Sequence, residues 1–315
     1  MTHRTRVNAE HPPSQSETIP PVTIEDGSTF TIERIDKKTC RDLIVANHYS
    51  GTWNTAFGTH SFGIFYAGDL VGALAYGNLM NTGSTGTLAD LPPDAVIELN
   101  RMWISDVLGP NTETAALSRT MRWLKNNAGI QLVQTFADGR LGCGTVYKAA
   151  NFGYYGHSET LFFRDLETGE PEHGTQFTIT GDSRRMGEFP RPMVTRNLRL
   201  IAGELEAFAV KTYRYLYPLT KYARRRILLE QEPYPAYDKG SQAIPDYVPP
   251  ASQIARCWVA CDISGYHDQA AQFADYMAAN YSPAEVDRET DRARDNEWLV
   301  ALADAVQPDL FGGVA

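Results

Sequence analysis

The chain of 315 residues has no apolar run near the ~18 residues that a membrane-spanning helix requires, which excludes a helical membrane span. A polar N-terminus stands in place of a secretory leader, and there are only four scattered cysteines, Cys40, Cys143, Cys257 and Cys261. That usage rules out a disulfide scaffold and leaves free thiols in a reducing cytoplasm as the expectation. Cys257 and Cys261, with His267 nearby, lack the second ligand pair that a structural zinc site needs. No internal repeat is present. Positive charge is scarce on average too, with a formal net charge of -9, so the composition as a whole carries no nucleic-acid signature. The 43% of hydrophobic residues and the length suit a soluble globular protein of one large or two modest domains.

The average charge hides a basic block. From Arg184 to Arg226 there are eleven basic residues against three acidic ones, about +8 locally, which leaves about -17 for the remainder. Residues 1–28 are rich in proline and polar residues and read mostly as a flexible tail. Order is expected from near Phe30, where TFTIERI alternates like a strand and DKKTCRDLIVANHY spaces its apolar residues like a helix. SFGIFYAG and LVGALAYG form a hairpin signal around Gly68-Asp69. VIELNRMWIS reads as an apolar strand, and after a break at DVLGPN the segment TETAALSRTMRWLKNN reads as a helix capped by Thr112.

A strand (IQLVQTFAD), a helix (TVYKAANF) and a further strand (GYYGHSETLFFR) follow. The order predicts an α/β fold, a mixed sheet flanked by helices. QFTITG and NLRLIAG look strand-like, and TYRYLYPLTKYARRRIL clusters tyrosines with basic residues. The expected organisation is a tail over 1–28, a catalytic domain over 29–180, a basic segment over 181–240, and a Pro-rich linker with an acidic helical extension over 241–315.

Three constellations can carry chemistry. A strand that stops before a capped helix points free N–H groups and a positive dipole end at one spot, which suits a phosphate. An unpaired guanidinium inside the strand is unfavourable, so Arg101 requires an anionic partner: Glu98, Asp138 or a bound phosphate. Asp138, beside Gly139, can accept a proton, hold a metal or cap a turn. His48 at a helix end is either a cap or, with Tyr49, an orienting or metal-binding group. In the block from Tyr213 to Arg226, lysine and arginine neutralise phosphates and tyrosines offer stacking faces. It is either a solvated helix face or a DNA contact.

ADGRLGCGTVYKAANFGYYG, following that strand and helix, resembles GNAT acyltransferases, in which acyl-CoA lies between two splayed strands and a tyrosine can protonate the departing thiolate. Tyr147 matches that tyrosine, Asn151 stands where a glycine is usual, and LGPNTETA replaces the usual pyrophosphate loop. HYSG, ELNRMWISD, NTETAALS, FADGRLGCGTVYKAANF and TYRYLYPLTKYARRR then occur in the order of the Mom family of phage DNA modification proteins, over about Thr31 to Tyr237. The resemblance implies a GNAT-like fold. It also implies transfer of a methylcarbamoyl (acetamido) group to the N6 amine of adenine, which protects phage DNA from host restriction in the host cytoplasm.

On this reading His48, Tyr49, Asp138 and Tyr147 are the catalytic candidates. Arg101, Ser105, Thr112, Glu113, Thr114, Ser118 and the backbone at Gly142 and Gly144 would hold the donor. Arg214, Tyr215, Lys221, Arg224, Arg225 and Arg226 would contact double-stranded DNA with a flipped adenine. Acetyl-CoA is the implied donor, and because the product bonds a methylene to nitrogen, iron held by His48 and Asp138 is implied as well. An ordinary GNAT N-acetyltransferase acting on a small amine or protein, or a non-catalytic DNA-binding protein on a decayed scaffold, are the rival readings.

Overall fold

The computed structural model describes residues 18–24, 27–80, 85–178, 187–237 and 239–306. Two compact units divide the chain: Met1–Ser158 with Thr212–Lys239, and Glu159–Lys211 with Gly240–Ala315. Residues 159–180 fall with the second unit, and the tyrosine-rich segment from Thr212 joins the first unit as a strand.

In chain order the elements begin with β1 (Val22–Thr23), β2 (Thr29–Arg34), α1 (Lys37–Asn47), β3 (His60–Tyr66) and β4 (Asp69–Gly77). Next come α2 (Thr85–Leu88), β5 (Val96–Ile104), α3 (Thr112–Asn127), β6 (Leu132–Asp138), α4 (Thr145–Ala149) and β7 (Gly153–Asp165). β8 (Pro171–His173), α5 (Arg191–Ile201), β9 (Leu205–Pro218) and α6 (Lys221–Arg224) follow. The last elements are β10 (Ser241–Ala243), α7 (Ala251–Ile263), α8 (His267–Asn280), α9 (Pro283–Arg294) and α10 (Glu297–Val306). No helix among the described residues is long and apolar enough to cross a membrane.

The sheet runs β1-β2-β3-β4-β5-β6-β9-β7-β8, so the expected α/β mixed sheet is observed. Val22 and Ile24 are buried and β1 pairs with β2, so order starts before Phe30 and the end of the supposed tail belongs to the sheet. The remaining tail residues, 1–17, lie outside the described residues. The β3–β4 turn is Ala67-Gly68, one residue earlier than expected; both have positive φ, 52° and 93°, as a two-residue hairpin loop demands.

Alternation along β4 separates the two faces. Leu74 and Tyr76 pack under α3 with Ala116, Leu117, Met121 and Leu124, while Ala73 and Ala75 meet Cys40 and Ile44 of α1. The cap of α3 is Asn111, with φ 69°, rather than Thr112, whose buried hydroxyl donates to Gly109 O. NLRLIAG is the end of helix α5, not a strand: Met193, Val194, Asn197 and Leu200 form its buried face at helical spacing. Of QFTITG, Gln176 and Phe177 lie in a short 3-10 turn, and the end of the segment lies outside the described residues. The second unit carries α7 to α10 around a core that includes Ile254, Phe273, Met277, Trp298 and Leu299.

One feature of the sheet positions everything else. β5 and β6 pair in parallel at Val96↔Leu132, Ile97↔Val133, Glu98↔Gln134 and Leu99↔Thr135, and there the ladder ends. Opposite β4 the register slips between Ala75, which faces Arg101, and Tyr76, which faces Leu99. Asn100 is thereby left over as a bulge, and a bulge bends its strand. Beyond it β5 follows β4 alone, while Phe136, Ala137 and Asp138 pair with β9 at Arg214, Tyr213 and Thr212.

Candidate active site

The divergence of β5 and β6 opens a cleft of about 410 Å³, walled by Leu99–Met102 on one strand and Phe136–Asp138 on the other. His48 and Tyr49 reach it from the end of α1, and Gly144 to Tyr147 from the start of α4. Arg101 and Tyr147, singled out from separate motifs, therefore share one cavity.

Arg101 is mostly buried, and burial lowers its guanidinium pKa. Nη1 donates to Asn100 O at 2.7 Å, Nη2 to Thr52 Oγ1 at 3.4 Å, and the group lies 4.6 Å over the Phe57 ring. Nε is buried without a partner, and among the described residues no carboxylate forms an ion pair with Arg101. Neither Glu98 nor Asp138 is the anion that the sequence demanded. Glu98 faces inward and accepts from Asn100 Nδ2 (3.1 Å), Gln134 Nε2 (3.1 Å) and Met80 N (3.4 Å).

Asp138 is engaged by its own turn. Arg140 Nε donates at 3.0 Å to each carboxylate oxygen, Nη2 to Oδ2 at 2.5 Å, and the Arg140 backbone N–H to Oδ1 at 2.9 Å. Burial by itself would raise this carboxyl, but the hydrogen bonds from Arg140 and from the Tyr49 hydroxyl hold it below the usual carboxylate range. A carboxylate so held is a weak proton acceptor and serves better to orient Tyr49. Desolvation, with the Asp138 charge beside it, in turn keeps the Tyr49 phenol protonated.

Burial, together with the Arg101 charge, holds the His48 imidazole down to about 4, so the ring is neutral. Ser50 N donates to His48 Nδ1 at 3.2 Å, and Ser50 Oγ lies 2.9 Å from the same atom. This assigns the proton to Nε2 and makes the ring a hydrogen-bond donor rather than a base. Burial raises the Tyr147 phenol above its ordinary range, against the Thr135 hydrogen bond and the Arg101 charge, so it keeps its proton.

The glycines of the loop have distinct reasons. At Gly144, with φ 84°, an added Cβ would lie 2.8 Å from both Ala137 Cβ and the Tyr215 ring, so only glycine lets α4 sit against the sheet. Gly142 has φ 138°, open to glycine alone. Cys143 is buried, and its carbonyl accepts from Tyr215 Oη, which ties the loop to β9. Asn151 has φ 62°, the left-handed conformation that a glycine would adopt, and asparagine tolerates it.

A second hollow of about 550 Å³ runs along α3. Its wall includes Asn111, Thr114, Ser118, Arg122 and Lys125, with Ala149, Ala150 and Asn151 from the end of α4 and Tyr217 from β9. Thr114 and Ser118 thus line this hollow. Thr112 and Glu113 do not line it, and Ser105 Oγ accepts from Val107 N in a turn outside both hollows. Arg122 and Lys125 were missed, although positions 118, 122 and 125 share one helix face at the i, i+4, i+7 spacing that the sequence displays.

The DNA-contact set separates. Tyr215 is 1% exposed and packed against Tyr147 and Tyr154, so it cannot stack on a base; β9 lies between β6 and β7, and its tyrosines point into the core. Arg214 stands by the cleft wall, 5.6 Å over Phe136, with Nε buried and unpartnered. Lys221, Arg224 and Arg225 are exposed, and Arg226 pairs with Asp90. They follow Pro218, which pairs with Leu132 at the far end of β6 from Asp138. Six strand residues separate the ends, about 20 Å, so these cations are not at the cleft.

Residues 29–236 match the Mom protein family. The chain belongs to the Mom protein family. It is 34% identical over 213 residues to the methylcarbamoylase Mom of Escherichia phage Mu, a match spanning 65% of this chain and 83% of that protein. The chain is a transferase of this family on an α/β scaffold. Among solved structures, the spermidine/spermine N-acetyltransferase SpeG of Vibrio cholerae, in complex with manganese ions, is 10% identical (TM-score 0.34), covering 62% of this chain and 96% of that one. The GNAT domain of S. lividans PAT is 11% identical with a TM-score of 0.34, over 64% of this chain and 96% of that domain.

Proposed function

We propose that this Mom family member transfers an acetamido group, from an acyl-CoA donor, to the N6 amine of adenine in DNA. The observation that carries the reading is the wedge between β5 and β6, with Arg101, buried and without an ion-pair partner, on the β5 wall and the protonated Tyr147 of α4 lining the same cleft. A buried guanidinium without a carboxylate is unfavourable unless a ligand supplies the negative charge.

The residues fit an acyl-CoA. Arg101 suits the oxygen of the activated group, on which negative charge develops as the thioester reacts. Arg122, Lys125, Ser118 and Thr114, which line one hollow along α3, suit the phosphates. When bound, the thioester supplies the two carbons of the transferred group; exchange of its C–S bond for a carboxamide takes an ammonia-level nitrogen donor, and closing the bond from N6 to the methylene takes a two-electron oxidant, both as co-reactants. Tyr147 is positioned to give a proton to the departing sulfur. His48 Nε2–H, fixed by Ser50, is positioned to donate to an oxygen of the reacting groups, and the Tyr49 hydroxyl, whose proton goes to Asp138, to accept from the amine. A stacked base cannot enter the cleft, so the adenine is extruded from the duplex.

The residues do not fit iron. His48 Nδ1 is taken by Ser50, and both oxygens of Asp138 are engaged by Arg140. Among the described residues no group of three His, Cys, Asp or Glu side chains comes together.

The test is nucleoside mass spectrometry of DNA from cells producing the protein. An adenosine heavier by an acetamido group is expected; unaltered adenosine with soluble, folded protein overturns the reading. N-acetylated small amines or proteins in those cells would point to an ordinary acetyltransferase instead.

A further inference from the structure

Leu141 is the tip of the turn that follows β6. The turn is clamped at its base: Asp138 O accepts from Leu141 N (2.9 Å) and Gly142 N (3.3 Å), while the Asp138 carboxylate grips Arg140. Just beyond, the Cys143 carbonyl is tied to the Tyr215 hydroxyl. The chain therefore holds an apolar side chain out on a rigid support, and Leu141 is 58% exposed. Singly exposed leucines are ordinary. This one is flanked at the cavity mouth by Tyr49, 54% exposed, and by Tyr237, 74% exposed, and all three line the same cleft. The Arg140 guanidinium lies 5.8 Å over the Tyr49 ring, and the Tyr237 ring edge would be 3.7 Å from a Cβ at Gly142, so the three form one patch around the turn.

A contiguous apolar patch at a cavity mouth marks an interaction surface, and its chemistry decides the partner. Two aromatic faces flanking a projecting aliphatic tip, over a hole of base-binding size, match an opened base stack. The tip fits between neighbouring base pairs, the rings fit the faces of bases, and the hole takes the base removed. We propose that Leu141 is a positioning residue that enters the stack of duplex DNA, fills the gap left by the extruded base, and so keeps that base in the cleft. The proposal rests on the reading of DNA as the acceptor.

The test uses the full chain and duplexes carrying 2-aminopurine at adenine positions, with fluorescence reporting unstacking and anisotropy reporting binding. The wild type is expected to bind and to brighten the probe. Leu141→Ala should bind within about threefold of wild type yet lose about tenfold of the brightening. Brightening should return when an abasic site faces the probe, because pairing no longer opposes extrusion, and Leu141→Met should stay close to wild type. Equal brightening by Leu141→Ala and wild type on paired duplex overturns the wedge while leaving the DNA reading intact. A wild-type protein that binds no duplex overturns the DNA reading, and the wedge with it. Leu141 is on the surface, so an unchanged melting temperature serves as the folding control.

Discussion

The closed and open halves of the β5/β6 pair bury opposite charges three residues apart, and they treat them differently. In the closed half Glu98, 4% exposed, receives N–H donors from Asn100, Gln134 and Met80. In the open half Arg101 keeps an unpartnered Nε and gains no carboxylate. A buried charge satisfied by its own protein holds a structure together; one left unsatisfied is paired when a ligand arrives. The bulge at Asn100 is the boundary between the two.

The largest effect that would break this contrast is at Arg101. Arg101→Ala should reduce adenine modification by about 100- to 1000-fold with little change in melting temperature. A variant that unfolds while losing activity in proportion would make Arg101 structural, like Glu98. Tyr147→Phe should lower the rate by about 100-fold at unchanged donor affinity, as measured by single-turnover kinetics; a weakened affinity at normal rate would assign the phenol to binding.

Glu98→Ala should act in the opposite sense to Arg101→Ala. Three donors lose their acceptor, and denaturant unfolding should show a loss of about 2–3 kcal/mol. Stability unaffected by that change would remove the closed half from the comparison.

Acid offers a gentler probe of the open half. An unfolded histidine takes up its proton near 6.5, whereas His48, buried beside Arg101, does so only at about 4. Between those values the unfolded state binds the extra proton, so stability falls as pH drops, at most about 1.4 kcal/mol per unit for this group. His60, held to about 4 by burial and Arg34, adds to the same window. His48→Asn should therefore reduce, not abolish, the slope of melting temperature against pH from 6.5 to 4. An unchanged slope would show that His48 is charged in the folded protein.

The smallest effect is expected furthest from the wedge. Lys221→Ala with Arg224→Ala should weaken DNA binding by about threefold and flatten its salt dependence, leaving the modification rate of bound DNA as it was.

Much of the scaffold was legible because periodicity is a local property. The strand carrying Arg101, the helix after it and the segment carrying Tyr147 could be read in order, and the splay that unites them follows from their common sheet. The failures have physical causes too. Within NLRLIAG alone, Leu198 and Leu200 alternate as in a strand, while the helical face begins upstream at Met193. Tyr213 and Tyr215 share one face of a strand, but only the placing of β9 inside the sheet shows that this face is the core. Tyr237 reaches the cleft from a hundred residues beyond Asp138 along the chain, and nothing in its neighbours announces that. Arg140, by contrast, lies two residues from Asp138, where a turn-forming aspartate invites such a partner.

Asn111 and Asn151 both take left-handed backbone, at the two places where this chain departs from the spelling of the motifs it resembles. At Asn151, where the resembling motif carries a glycine, the departure is of alphabet, since asparagine takes the left-handed turn that glycine would. Motifs written as torsion angles would gather together proteins that motifs written as letters keep apart.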